Sequence, residues 1–208
     1  MKKYLIILIA FVLSFTSCEK ETEGVSKETT FPIMTRNGDE FVYLTKGATF
    51  NDPGVTAKEG DTELTVTSTG AVNTSVAGVY TITYSAVNSD GFPGSILRKV
   101  VVSDTSPEAA LINLSGNYAR STNGSVAVWT RVAPGVYSVF NPGGAPGTNL
   151  TVIVFHPTAS RLYIPNQVSS DGSITYSSAE SYNPLTGTYT WIIENPGYGR
   201  GARTFVKQ

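Results

Sequence analysis

The chain has 208 residues, enough for one or two domains. Hydrophobic residues make up 40% and charged residues 15%, so the chain is globular in composition and light on charge. A formal net charge of −1 supplies no basic excess, which argues against a nucleic-acid partner. The single cysteine excludes an intramolecular disulfide and a Cys-based zinc site.

Lys2 and Lys3 form a short positive n-region, and residues 4–15 (YLIILIAFVLSF) are a nearly unbroken apolar run. That run is shorter than the roughly 20 residues a membrane-crossing helix needs. Thr16 and Ser17 follow, directly before Cys18. Charge, short apolar run and small residues, in that order, predict a secretory signal over residues 1–17. The segment resembles the bacterial lipobox, although Phe15 stands where that pattern most often has Leu. The resemblance implies cleavage before Cys18 and a lipid on its thiol, with the membrane as partner. Several acyl chains on one residue anchor stably where one would be marginal. A plain signal peptide with an incidental cysteine is the alternative. Losing Lys2 and Lys3 with the leader takes the formal charge from −1 to −3.

Glu19, Glu21 and Glu23 follow the cysteine, within a polar stretch that runs to residue 30. Such an acidic stretch resembles the surface-export signal of Bacteroidota lipoproteins. It implies an outer-membrane protein facing the extracellular side; an ordinary solvated tether is the alternative.

From residue 31 the pattern is strands and turns, with no helical periodicity over three turns. Strand candidates are 41–44, 64–67, 78–86 and 96–102, with turns at 52–54 and 59–61 between the first of them. In 78–86 (GVYTITYSA), Tyr80, Ile82, Tyr84 and Ala86 share one face, and Thr81, Thr83 and Ser85 share the other. Asn88-Ser-Asp-Gly91 is a turn signal, so 78–102 reads as a hairpin with a long loop through Phe92, Pro93 and Gly94. GATFNDPGVTA at 47–57, GVYTITY at 78–84 and the basic-then-valine strand at 98–102 resemble the immunoglobulin-like domain of bacterial surface proteins. The resemblance implies a β-sandwich over 31–104 acting as a spacer or adhesion module.

Residues 105–110 read as a linker around Pro107. A second β-unit follows over 111–208, with strand candidates 125–132, 135–140, 150–155, 162–164, 173–176 and 188–194. Pro184 and Gly187 suit the corners of a hairpin turn at 182–191. Many short strands in this length predict a small antiparallel β-barrel or sandwich, making the whole protein all-β. Gly116-Asn-Tyr118 and the final hairpin resemble the small C-terminal β-domain of certain Bacteroidota surface lipoproteins. By that analogy the chain would sit in a polysaccharide-utilisation system, beside an outer-membrane transporter.

Catalytic groupings are not legible. The one histidine, His156, ends an apolar strand before Pro157 and reads as a surface or strand-end residue. The second unit has three acids, Asp171, Glu180 and Glu194, each on a different segment, whereas a glycosidase needs two facing one bond. No metal or other cofactor is expected. The Gly143-Gly144 pair and the glycines at 197–201 read as turns.

Surface recognition remains. In 125–132 (SVAVWTRV), Val126, Val128 and Val132 share one face, and Ala127, Trp129 and Arg131 share the other. With the valines inward, Trp129 and Arg131 would be an exposed aromatic beside a multi-donor group, suited to stacking on a sugar and bonding its hydroxyls. With the indole inward, Trp129 is core. Tyr198 beside Arg200 is a second such pair, or a loop anchor. Trp191 shares its face with Tyr189 and Ile193 and is expected in the core. The sequence therefore predicts a non-catalytic surface lipoprotein whose second unit binds polysaccharide. The alternative is a structural, adhesive or complex-subunit role.

Overall fold

A computed structural model describes residues 28–208. The expected signal peptide, Cys18 and most of the tether lie outside the described residues. The fold is nearly all-β, as expected, and begins with a two-sheet sandwich.

One sheet has the order β1-β3-β4, from Ile33–Arg36 (β1), Val55–Glu59 (β3) and Thr62–Glu63 (β4). The other has the order β2-β7-β6-β5, from Phe41–Thr45 (β2), Thr67–Thr69 (β5), Gly78–Val87 (β6) and Pro93–Ser103 (β7). β2 runs parallel to β7, and the remaining pairs are antiparallel. Ile82, Tyr84, Val100 and Val102 are buried between the sheets with Met34, Val42 and Phe50 packed around them. The alternation in β6 thus has its expected inner face.

Two expectations shift. Val87 pairs with Pro93, so the loop of the 78–102 hairpin is residues 88–92. Proline is tolerated there because it opens its strand. The Asn88 side chain accepts the Phe92 N–H at 2.7 Å, and Gly91 takes φ +87°, so the turn closes early. Residues 64–66 are not one strand with Thr67. Leu64 N–H bonds to the Ala57 carbonyl of the first sheet, while Thr67 pairs with Ser85 of the second. The run carries the chain between sheets and drops Val66 into the core on the way.

The sandwich also encloses a charge. Arg98 is 0% exposed, and its guanidinium pairs with Asp52. It donates as well to the carbonyls of Asn37 (2.8 Å) and Asp39 (3.1 Å) and to the Tyr84 hydroxyl (2.9 Å). Tyr84 donates in turn to Asp52 at 2.6 Å. Burial works to raise the Asp52 pKa, but bonds from Tyr84 and the Gly54 amide, with the Arg98 charge, outweigh it and hold the carboxyl below its usual value. Asp52-Pro-Gly54, read as a turn, is also the counter-charge for the basic strand at 98.

The linker holds a helical turn that the sequence pattern did not predict, Pro107–Leu111 (α1). The Ser106 side chain caps it by accepting the Ala109 N–H at 3.2 Å, and Pro107 stands where no N–H partner is needed.

Nine strands then form one curled antiparallel sheet. They are Gly116–Arg120 (β8), Val126–Ala133 (β9), Val136–Phe140 (β10), Thr151–Thr158 (β11), Arg161–Tyr163 (β12), Gln167–Val168 (β13), Ile174–Asn183 (β14), Thr188–Glu194 (β15) and Arg203–Lys207 (β16). Their order is β12-β11-β10-β9-β8-β16-β15-β14-β13. The inner face is aromatic: Tyr118, Trp129, Tyr137, Tyr189, Trp191 and Phe205 are all buried. Trp129 and Trp191 stack with centroids 5.9 Å apart, as do Tyr189 and Phe205 at 4.9 Å. Each polar tip is satisfied, for example Trp129 Nε1 to the Tyr189 hydroxyl (3.1 Å) and Trp191 Nε1 to the Pro142 carbonyl (2.9 Å). Trp191 lies in the core as its pattern indicated.

β11 is buried on both faces. Val152 and Val154 enter the aromatic core. Ile153 and Phe155 point the other way, into a cluster with Val136 and with Val101 of β7, flanked by Phe41, Tyr43 and Val79 of the sandwich. The continuous apolar run in this strand is what a doubly covered strand requires. The sandwich and the curled sheet therefore share a core.

His156 corrects an expectation. It is 0% exposed, and its ring meets Tyr182 edge-on at 5.7 Å. It follows Val152 and Val154 on the inner face of β11, so the strand carries it inside. Its ring nitrogens make no hydrogen bond of ordinary geometry. Burial pushes its pKa below the usual value, and nearby backbone groups of Ala159 and Ala109 only partly oppose this.

Candidate functional site

The site grows from the β14–β15 pair and the loop that follows it. Tyr176 pairs with Glu194 across the two strands. Ile174 and Tyr176 point outward from β14, while Thr175 between them is buried. Thr175 is satisfied by a polar network: its hydroxyl bonds Ser169 Oγ at 2.7 Å and accepts from Asn195 Nδ2 at 2.7 Å. Asp171 completes the network, accepting from Ser169 Oγ (2.7 Å), the Ser173 N–H (2.9 Å) and Asn195 Nδ2 (3.3 Å). Burial would raise the Asp171 pKa, but these bonds prevail and lower it. The carboxylate is therefore an acceptor at neutral pH, fixed by its neighbours.

Asn195 also starts the loop. Its side chain accepts the Gly197 N–H at 2.8 Å, and its carbonyl accepts the Tyr198 N–H at 3.0 Å. Tyr198 lies half-buried over Gly143, where an added Cβ would come within 2.2 Å of the ring. The Tyr198 hydroxyl bonds Thr148 Oγ1 at 2.9 Å. Arg203 holds the far side of the loop by donating to the carbonyls of Gly199 (3.0 Å) and Gly201 (2.9 Å), with its guanidinium 5.3 Å from the Tyr198 ring centre. The glycine pair at 143–144, read as a turn, is thus also the seat of an aromatic ring.

Ile174, Tyr176, Glu194, Asn195, Tyr198 and Arg200 line an open cleft of about 340 Å³. The Arg200 side chain is 89% exposed, with Nε 3.9 Å from Glu194 Oε2. Glu194 is fixed from the other side by Ser178 Oγ, which donates to it at 2.7 Å. The cleft combines apolar ring surface, a five-donor guanidinium, a carboxylate and a primary amide. Glu180 is engaged elsewhere, accepting from Ser177 Oγ at 2.6 Å.

Of the four predicted ligand residues, the structure brings Tyr198 and Arg200 together and removes the others. Trp129 is 2% exposed and belongs to the aromatic core. Arg131 is half-buried, donates to the Ala110 carbonyl and does not line the cleft. The inverted face has a physical cause. Both faces of β9 carry apolar residues, and the larger indole takes the interior with Ala127, leaving Val128 exposed. A register shift between β9 and β10 at Val136/Tyr137 then ends the alternation, and Val132 packs into the core shared with the sandwich. Tyr176 was not singled out because the strand candidate 173–176 is too short for its alternation to say which face is outward. The buried polar network under Thr175 decides it, turning Ile174 and Tyr176 outward.

With this geometry in view, residues 34–102 match the family described as bacterial surface protein, Ig-like domain. No curated protein matches the chain. Among solved structures, the chain is similar to a lipoprotein from Bacteroides thetaiotaomicron, at 24% identity and a TM-score of 0.41, over 86% of this chain and all of that one. It is also similar to Clostridium perfringens ZmpB, in a structure of its CBM51-2 module in complex with GlcNAc and its INT domains. There the identity is 16% and the TM-score 0.32, over 76% of this chain and 31% of that one.

Proposed function

We propose that this chain is a non-catalytic, lipid-anchored protein of the bacterial outer surface, and that its C-terminal half binds glycan in the cleft between Tyr176 and Tyr198. The observation that carries this reading is the convergence of two tyrosine rings with Arg200, Glu194 and Asn195 around one open cleft. Sugars present an apolar face to aromatic rings and a hydroxyl rim to donors and acceptors, and this lining offers both. The Ig-like match at 34–102 supports a surface setting. In this reading the sandwich is the spacer, and the lipid on Cys18 is the attachment. A polysaccharide-utilisation system with an outer-membrane transporter is the setting in which such a binder would serve.

The cleft is open, so it suits a polymer lying across the surface. Contact with one or two sugar units, at about 0.3 kcal/mol per heavy atom, gives about 4–7 kcal/mol. That corresponds to a Kd from about 1 mM to about 10 μM. Affinity electrophoresis of residues 28–208 through gels containing neutral and acidic polysaccharides tests it. At least one polysaccharide should retard the protein, and Tyr176→Ala or Arg200→Ala should release it. Unretarded migration in every gel would remove the glycan reading and leave the structural or complex-subunit role.

A further inference from the structure

The end of the sandwich remote from the curled sheet carries an apolar surface that the glycan reading does not use. Phe31 is 59% exposed and Phe92 46% exposed, yet their rings touch, with centroids 5.4 Å apart and planes tilted by 60°. Val87, which pairs with Pro93 beside Phe92, is exposed too. The pair is pre-organised. A Cβ on Gly94 would lie 2.9 Å from the Pro32 ring, so the backbones beneath the two phenylalanines are in close contact. The 88–92 turn that presents Phe92 is fixed by its Asn88 bond and by Glu59, which accepts the Ser89 N–H at 2.9 Å and the Ser89 hydroxyl at 2.8 Å.

Charged groups flank this end: Glu59 is tied to Ser89, Asp90 stands in the turn, and Lys58 lies beside Ile33 in the β1–β3 register and beside Glu63 in the β3–β4 register. Phe31, Val87 and Phe92 themselves carry no charge, so the surface they form selects an apolar partner over a charged one. The position of Phe31 in the chain says which. Residues 19–30, twelve in all, separate it from Cys18. Even fully extended they reach only about 40 Å. A tether this short makes contact with the bilayer intramolecular, at an effective concentration that a dilute soluble partner does not match.

We propose that the Phe31–Phe92 surface rests in the headgroup region of the bilayer that holds the Cys18 lipid, orienting the protein with its sandwich downward. The proposal rests on the lipid-anchor part of the reading above and is independent of the glycan cleft. It also gives the spacer a direction. β7 starts at Pro93 beside Phe92, and its Val101 enters the core shared with the curled sheet, eight residues and about 27 Å further on.

The test uses the full lipidated chain in vesicles of phosphatidylcholine and phosphatidylethanolamine. With Cys18 acylated, Ser95→Cys supplies one free thiol near the patch and Thr186→Cys one in the distant 183–188 turn, each labelled with an environment-sensitive fluorophore. Nitroxide-bearing lipids should quench the label at 95 at least twofold more than the label at 186. Phe31→Ser with Phe92→Ser should abolish the excess while leaving the circular dichroism unchanged. Equal quenching at both sites, or an excess that survives the double substitution, overturns the proposal. So does shielding of the label at 95 without vesicles in step with dimer formation, which would make a second copy the occupant. Mass spectrometry of Cys18 separates the two readings: an unmodified thiol removes anchor and proposal together, whereas a lipidated thiol with equal quenching removes the proposal alone.

Discussion

Asp52→Asn removes the counter-charge of a buried guanidinium and leaves the shape of the site intact. Breaking a buried ion pair from one side costs about 3–5 kcal/mol, because the remaining charge is stranded. The Asp52 side chain is 30% exposed, so water reaches the pair, and Arg98 keeps its bonds to the carbonyls of Asn37 and Asp39. A discounted cost of about 2–3 kcal/mol follows. For a unit of this size that is a fall in Tm of about 5–10 °C. Circular dichroism reports the whole fold, whereas both tryptophans, Trp129 and Trp191, lie in the aromatic core of the curled sheet. The cluster of Val101 with Ile153 and Phe155 should couple the halves, so the fluorescence midpoint should fall with the dichroism midpoint although Asp52 is in the sandwich. Asp52 has a depressed pKa in the folded state, so its stabilisation is present above the unfolded value, about 4, and is lost as pH falls through the folded value. The gap between the natural chain and the variant should therefore close in acid. A fluorescence midpoint that stays put while the dichroism midpoint falls would refute the coupling. A shift of under 2 °C in both at pH 7 would refute the importance of the pair.

Gly143→Ala places a methyl where the Tyr198 ring lies and should displace that ring, breaking its bond to Thr148. Glycan retardation should be lost with a Tm change much smaller than that of Asp52→Asn, and full retardation would show that Tyr198 is not a contact. His156 is buried with a lowered pKa, so it disfavours the folded state once the unfolded chain begins to take up its proton. Stability is full above the unfolded value, about 6.5, and declines as pH falls from there toward the folded value. His156→Leu should flatten the decline in Tm between pH 6.5 and 5.5, as read by calorimetry, and an unchanged slope would remove His156 as its source.

The all-β class, the sandwich hairpin and most strands of the second half were legible because alternation and turn residues are local signals. β6 is an example: Ile82, Tyr84 and Ala86 are buried as their spacing implied. The 184–187 turn is another, with Gly187 at φ +64° and Asn183 pairing with Thr188. What failed was the choice between two faces that both looked tenable. In β9 the valines and the indole compete for one interior, and only the partners across the curled sheet, Tyr189 and Trp191, decide it. His156 posed a related problem: the continuous apolar run of β11 signals a doubly covered strand, but nothing local says that the cover extends to the polar residue that ends the run before Pro157. The cleft was half legible. Tyr198 and Arg200 stand in a glycine-rich loop and invite notice, whereas Tyr176 owes its exposure to the Ser169, Asp171, Thr175 and Asn195 network beneath it, whose members are spread from 169 to 195 in the sequence.

The double burial of β11 bears on how such a protein could be dissected or recombined. A cut at the short helix 107–111 would not release two self-sufficient cassettes. It would strip the covering from Phe41, Tyr43, Val79 and Val101 on one fragment and from Ile153 and Phe155 on the other. Each piece would expose a fresh apolar face and tend to self-associate. Shuffling this sandwich onto another C-terminal partner would require the new partner to bring its own complement to those side chains. The two halves are constrained to change together.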